Sequence, residues 1–246
     1  MTWYKDWFGE DYLKVYPHRD EIEAKKQVDF VAKVLDLKLA KKILDLGCGN
    51  GRHANEFSGK GYHVTCLDLS SVLLSLAKDK YGSASCICFV QADMRQIPFA
   101  NAFDSVVSFF TTFGYFKTDD ENLQTLKNIE AALKPGGSFF QDYMNKKFVI
   151  ENLVPYDSRQ VNGFEITQER NYNRAEERIE KKITLKKNGE VREYFESVRL
   201  YTLEEMKTLL AKTRLKLEKT FGDFDGSSFN SKSPRLLLVG KKEPST

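Results

Sequence analysis

Short apolar runs alternate with longer mixed segments over the first 150 residues. Lys42-Ile43-Leu44-Asp45-Leu46, His63 to Leu67, Cys86 to Ala92, Phe103 to Phe110 and Ser138 to Tyr143 are brief, β-branched or aromatic, and bounded by turn formers. Each predicts a strand. The segments between them carry helix punctuation. One helix runs from the Gly47-Cys48-Gly49-Asn50-Gly51 turn to about Lys60, where Gly59 and Gly61 end it. Ser70 or Ser71 caps a second, through about Lys80. A third spans Asp119 to Leu133 and stops at Lys134-Pro135-Gly136-Gly137. Upstream, 20–37 reads as a helix with Asp20 as N-cap and Ile22, Val28, Val31, Val34 and Leu35 near one stripe. Residues 1–19 are aromatic and read as irregular.

Strands alternating with helices at this spacing predict βαβ units and a parallel sheet, with right-handed crossovers. The strand ends near 46, 68, 93, 110 and 143 then lie on one edge, where open α/β sheets bind ligands. Asp68 and Asp93 share that rim with the glycine turn.

The rhythm breaks after residue 160. Phe164 to Tyr172, Arg178 to Lys186 and Val191 to Leu200 alternate apolar and charged residues, and Asn188-Gly189 is a hairpin signal. These predict a three-stranded antiparallel ribbon. Thr202 and Glu205 then form a capping box for a helix over 203–213. Leu215 to Phe221 and Leu236 to Gly240 read as two last strands around a loop at 222–228, with Lys241 to Thr246 as a frayed tail. The expected organisation is a lid and helix at 1–37, a core at 38–150 and 202–246, and an inserted sheet at 151–201 serving as substrate cover or dimer edge.

Composition narrows the function classes. Lys+Arg 38 against Asp+Glu 35 leaves a charge of +3, too little for a protein that binds mainly by neutralising phosphates. Hydrophobic content of 41% with 13% aromatic excludes a disordered chain. No run approaches the roughly 18 apolar residues of a membrane span, and Met1 to Asp6 has no signal-peptide pattern. Cys48, Cys66, Cys86 and Cys88 read as thiols in a reducing cytoplasm. Cys86-x-Cys88 is too tight for the usual metal spacing, and no metal is expected.

The glycine turn follows a strand and opens a helix, and Asp68 lies 19 residues beyond Gly49. An acid there suits both hydroxyls of a ribose. The dinucleotide fingerprint needs a third glycine at 52, where this chain has Arg52. Asp45, two residues before Gly47, would repel a pyrophosphate and welcome an ammonium group. The pattern therefore favours S-adenosylmethionine over NAD.

Ile43-Leu44-Asp45-Leu46-Gly47-Cys48-Gly49-Asn50-Gly51 resembles motif I of class I S-adenosylmethionine-dependent methyltransferases. The resemblance covers most of the chain. It implies a Rossmann-like, doubly wound seven-stranded sheet with an antiparallel last strand, here with a small antiparallel β insertion. Asp68 matches the family's ribose acid. Gln91-Ala92-Asp93-Met94 resembles the adenine segment, with Asp93 on the exocyclic amine. Phe103 to Ser108 resembles the fourth strand. The implied cofactor site comprises Asp45, Gly47, Cys48, Gly49, Asn50, Gly51, Asp68, Leu69, Ala92, Asp93, Met94, Ser108 and Phe109. The ribbon is similar to the substrate-side extension of small-molecule methyltransferases such as sugar N,N-dimethyltransferases.

Ser108-Phe109-Phe110-Thr111-Thr112-Phe113 lacks the N/D-P-P-Y motif of DNA and protein amino-methylating enzymes, and the Pro-Cys nucleophile of cytosine methylation is absent. The expected reaction is in-line methyl transfer to an N, O or C nucleophile of a small molecule. Tyr4, Tyr12, Tyr16 and Arg19 read as a lid over the cofactor, and Phe113 and Tyr115 as pocket residues. Tyr16, Tyr115 or His18 is the expected proton acceptor. An RNA methyltransferase using Lys181, Lys182, Lys186 and Lys187 is the alternative enzyme; a non-catalytic cofactor-binding module is the alternative class. Neither nucleic acid nor membrane is the expected partner, and the chain is expected to be a monomer or homodimer.

Overall fold

The structure, a computed structural model, describes every residue except Met1, His18, Ala40, Ser245 and Thr246. The chain begins with α1 (Tyr4–Trp7), α2 (Glu10–Val15) and α3 (Glu21–Val34). The alternating region follows as β1 (Lys42–Leu46), α4 (Arg52–Gly59), β2 (His63–Asp68), α5 (Ser71–Tyr81), β3 (Ile87–Gln91), β4 (Phe103–Ser108), α6 (Asp119–Ala132) and β5 (Leu133–Met144). Then come α7 (Lys146–Glu151), β6 (Tyr156–Val161), β7 (Phe164–Asn173), β8 (Arg178–Lys187) and β9 (Glu190–Arg199). The chain closes with α8 (Leu203–Leu210), β10 (Leu215–Phe221) and β11 (Arg235–Lys242).

Local chemistry sets the helix starts. Asp20 accepts from the Glu23 amide at 2.8 Å, Ser70 rather than Ser71 accepts from the Leu73 amide at 3.1 Å, and Thr118–Glu121 and Thr202–Glu205 are complete capping boxes. Such caps satisfy amides that the first helical turn leaves without partners.

Seven strands form one sheet in the order β10-β11-β5-β4-β1-β2-β3. All neighbours pair in parallel except β11, which is antiparallel to β5 and to β10. From β1 the chain winds to β2 and β3 on one side and to β4 and β5 on the other, so the switch point lies between β1 and β4. Alternation along β1 sends Ile43 to one apolar layer and Leu44 and Leu46 to the other. Asp45 shares the Ile43 side, beside Cys66 and Val107. Val28 and Val31 of α3 and Phe57 of α4 cover that face; Leu126 and Ile129 of α6 and Leu209 of α8 cover the other.

The second sheet is antiparallel, in the order β6-β7-β8-β9. It has four strands, not three. Tyr156-Asp-Ser-Arg-Gln-Val161 has almost no apolar pattern, and its signal is the Asn162-Gly163 turn, with φ of 51° and 78°, which joins β6 to β7. Trp3, Tyr4, Trp7 and Val15 pack with Ile166, Ile183, Leu185 and Val198 of this sheet in a third apolar cluster.

Other expectations need correction. Residues 1–19 contain two short helices, held in place by this packing. Ile22 is 68% exposed and leaves the helix stripe. β4 stops at Ser108, because Phe110 and Thr111 turn left-handed (φ 55° and 61°). β5 starts early, at Leu133. The last helix ends at Leu210, not 213. Lys241 and Lys242 belong to β11, and the buried Lys242 ammonium donates to the Leu133 carbonyl at 2.7 Å.

Candidate active site

The C-terminal ends of β1 to β4 open into a cavity that is partly open to solvent. Its floor is Asp45, the turn Gly47 to Asn50, Asp68, Leu69 and Ala92 to Met94; Phe109, Phe110, Thr112, Tyr115 and Phe116 form a wall; Tyr4, Phe8, Tyr12, Leu13, Tyr16 and Arg19 form the roof.

The turn is built for close approach. Gly47 has φ of 72°, and a Cβ there would lie 2.6 Å from Thr112 Cγ2, so only glycine fits. The Gly49 amide donates to Asp68 Oδ2 at 2.8 Å. Two implied cofactor residues stand off the cavity. Gly51 caps α4, and a Cβ there would meet Ala77 of α5 at 3.1 Å. Ser108 is buried, its hydroxyl bonded to that of Thr112.

Three carboxylates ring the floor in different states. Asp45 is 1% exposed, and its Oδ2 has no hydrogen-bond partner. Burial, reinforced by Asp68, pushes its carboxyl up to about 7. Asp68 accepts from the Gly49 amide and, through Oδ1, from the Ser70 amide at 2.8 Å. Burial still moves its carboxyl above the usual range. Asp93 is also buried in part, but the Arg95 guanidinium grips it through Nε at 3.1 Å and Nη2 at 2.7 Å and holds it below that range. Nothing in the sequence pattern singled out Arg95.

The roof is tied to the second sheet. Glu196 accepts from the Trp7 indole at 2.6 Å and the Tyr16 hydroxyl at 2.9 Å, and Lys181 lies 2.9 Å away. Asp11 pairs with Arg192 at 3.0 Å and accepts from Tyr194 at 2.8 Å. Of the ribbon lysines, Lys181 thus faces Glu196 and Lys182 pairs with Glu193 at 2.7 Å, while Lys187 donates to the Asn162 carbonyl at 3.2 Å.

Within the roof, the Arg19 guanidinium lies 4.1 Å from the Tyr16 ring and 4.5 Å from that of Phe110. Its Nε is buried without a partner. Burial first, and Glu196 next, push the Tyr16 phenol well above its ordinary value, and burial does the same to Tyr115. Both therefore hold the phenol proton near neutral pH. His18 lies outside the described residues. Phe113 belongs to the core beside Tyr143 and Tyr201, not to the cavity.

Sequence reasoning also passed over Arg52, His53 and Phe110. Their signal is position: the first turn of α4 after the glycines, and the residues just past β4. His53 stacks on Phe109 at 3.9 Å and its Nε2 meets Gln27 Oε1 at 2.7 Å. Burial, with Arg52 and Arg19 nearby, keeps it neutral. Phe110 is held by Asp142, which accepts from its amide at 2.7 Å and from Arg235 Nε at 2.7 Å. Asp142→Ala orphans both donors. We expect it to cost about 3 kcal/mol, read as a lower urea midpoint at unchanged slope.

One cavity thus holds an unpartnered carboxylate oxygen and an unpartnered guanidinium N–H, beside a glycine turn and a second acid. This donor and acceptor set fits an adenosyl group bearing a zwitterionic amino-acid tail. Residues 43–137 match the model of a methyltransferase domain. The methyltransferase-type protein YqeM of Bacillus subtilis is 29% identical over 232 residues, covering 91% of this chain and 94% of its own. A dTDP-3-amino-3,4,6-trideoxy-α-D-glucopyranose N,N-dimethyltransferase of Streptomyces venezuelae is 30% identical over 50% of this chain and 53% of its own. In fold, an S-adenosylmethionine-dependent methyltransferase of Clostridium acetobutylicum superposes with a TM-score of 0.81 over 94% of this chain and 96% of its own, at 18% identity. Residues 43–137 thus form a methyltransferase domain.

Proposed function

We propose that the chain methylates a small molecule, most directly at a neutral amine nitrogen. The observation that carries this reading is the roofed cavity itself. The lid closes over the same space that the glycine turn and Asp45 open into, and Phe8 and Tyr16 of the roof with Tyr115 and Phe116 of the wall make that space aromatic. A roofed aromatic chamber suits a small acceptor better than a polymer. The Streptomyces venezuelae relative is, by its name, an N,N-dimethyltransferase of an amino sugar, which accords with a nitrogen acceptor.

Asp45 would take the ligand's ammonium, Arg19 its carboxylate, Asp68 the ribose hydroxyls and Ala92 to Met94 the adenine edge. S-adenosylmethionine supplies an electrophilic methyl group when bound. The chain's own part is placement and exclusion of water. Bringing nucleophile and methyl in line within about 3–3.5 Å is worth several kcal/mol, and the dry aromatic walls favour a step in which positive charge leaves the sulfur. Tyr16 keeps its proton in the hydrogen bond it donates to Glu196, and Tyr115 keeps its own to orient the acceptor by hydrogen bonding. A neutral amine needs no base before transfer, whereas a hydroxyl does. A reducing, cytoplasmic setting accords with this reading and with the free thiols at Cys48, Cys66, Cys86 and Cys88.

Calorimetric titration tests it. S-adenosylmethionine and S-adenosylhomocysteine should bind with dissociation constants of about 1–10 μM or tighter, NAD should not bind, and labelled methyl should appear in an amine fraction of a metabolite extract. Failure of both adenosyl ligands to bind would overturn the reading.

A further inference from the structure

The four-stranded sheet reaches the cavity through a buried arginine. Arg178, at the start of β8, is 5% exposed. Its Nε donates to Ser197 Oγ at 2.7 Å and its Nη2 to the Ser197 carbonyl at 2.7 Å, both on β9. The same guanidinium donates to three successive carbonyls between β4 and α6: Gly114 at 3.2 Å, Tyr115 at 3.2 Å and Phe116 at 3.0 Å. Among the described residues, no carboxylate lies within ion-pair distance of it, and burial pulls its pKa down.

A buried cation without an anion is a costly way to fill space, and an apolar side chain of similar volume would do that better. What the guanidinium adds is a planar fork that can hold several carbonyls at once. The loop it holds has little freedom. Gly114 has φ of 87°, and a Cβ there would meet the Arg199 carbonyl at 2.8 Å. The next two side chains line the cavity and carry the lid. Tyr115 contacts Trp3 edge-on at 4.9 Å and stacks with Phe8 at 5.7 Å. Phe116 meets Tyr4 at 5.5 Å and takes Arg95 over its face at 4.3 Å.

We infer that Arg178 is a positioning residue that fixes the Tyr115–Phe116 shelf on which the lid closes. The inference rests on the reading of this cavity as the cofactor and acceptor site. The second sheet is then more than a cover: it sets the geometry of a wall and the seat of the roof. An arginine is required because a lysine, as a single point donor, cannot hold the fork geometry.

The test uses the full chain with Arg178→Met and Arg178→Lys. Both tryptophans, Trp3 and Trp7, lie in the lid, so their accessibility to acrylamide reports its seating. In folded Arg178→Met, quenching should rise at least about threefold, because the lid then samples open states. S-adenosylhomocysteine should bind at least about tenfold more weakly, because the wall is no longer preorganised. Arg178→Lys should move both readouts in the same direction. A merely structural role would lower the unfolding midpoint yet leave both unchanged in the folded protein. Either variant folding with quenching and affinity within about twofold of wild type would overturn the inference. If Arg178→Met does not fold, Arg178→Lys decides. If wild type itself does not bind S-adenosylhomocysteine, the cofactor reading falls, and the quenching comparison still decides the role of Arg178.

Discussion

Asp68→Ala should weaken S-adenosylhomocysteine binding by at least about 100-fold. A hydrogen bond to a charged group contributes about 1.5–3 kcal/mol. Losing two, to the ribose hydroxyls, removes about 3 kcal/mol or more, and every 1.4 kcal/mol is tenfold. The substitution also reaches the glycine turn. Asp68 accepts from the Gly49 and Ser70 amides, so alanine orphans a donor in the cradle and one at the start of α5. Asp68→Asn separates the two contributions. It keeps one oxygen for an amide or a hydroxyl but not the charge, and should lose about tenfold. Calorimetry on both variants, with circular dichroism to confirm folding, gives the answer. Wild-type affinity in Asp68→Ala would remove the ribose assignment altogether.

Much of the fold was legible because the central parallel strands are buried on both faces and so read as short, largely apolar runs. Ile43 to Leu46 and Phe103 to Ser108 are of this kind. The rim also followed from order alone, since strands that all run parallel must end on one edge. The elements missed lack such a signal. β6 lies at the border of the second sheet and alternates weakly. α1 and α2 are too short to have a period, and gain their shape from packing against β8 and β9. Site residues divide in the same way. Asp45 and Asp68 are fixed by motif spacing. Arg95, beyond its local hold on Asp93, and Arg178 reach partners 26 and 62 residues away, Glu121 and Phe116, which no local pattern encodes. The base assignment rests on a different kind of signal. A tyrosine near a reaction centre suggests a proton acceptor, but Tyr16 and Tyr115 lie where burial holds the phenol proton in place.

Ligand binding should release a proton at mildly acid pH, with Asp45 as its source. In the free protein this carboxyl titrates at about 7, against an ordinary value of 3.8. That difference corresponds to about 4 kcal/mol of preference for the neutral form. In the folding equilibrium the group contributes stability below about pH 4, and this is lost as pH rises through about 7. An ammonium placed against the unpartnered Oδ2 reverses the preference, since it pairs only with the carboxylate. S-adenosylhomocysteine affinity should therefore climb by up to about tenfold per pH unit from pH 5, level off above pH 7 and gain roughly 100-fold in all. Asp68 is raised in the same direction, so the assignment needs Asp45→Asn. That variant should bind much like wild type at pH 5, show no rise with pH, and fall well behind at pH 8. Titrations at pH 6 in two buffers of different ionisation enthalpy count the protons directly. Release of close to one proton by wild type and none by Asp45→Asn is the expected result. A flat wild-type profile would mean that the ammonium binds elsewhere, and that Asp45 stays a neutral, buried acid.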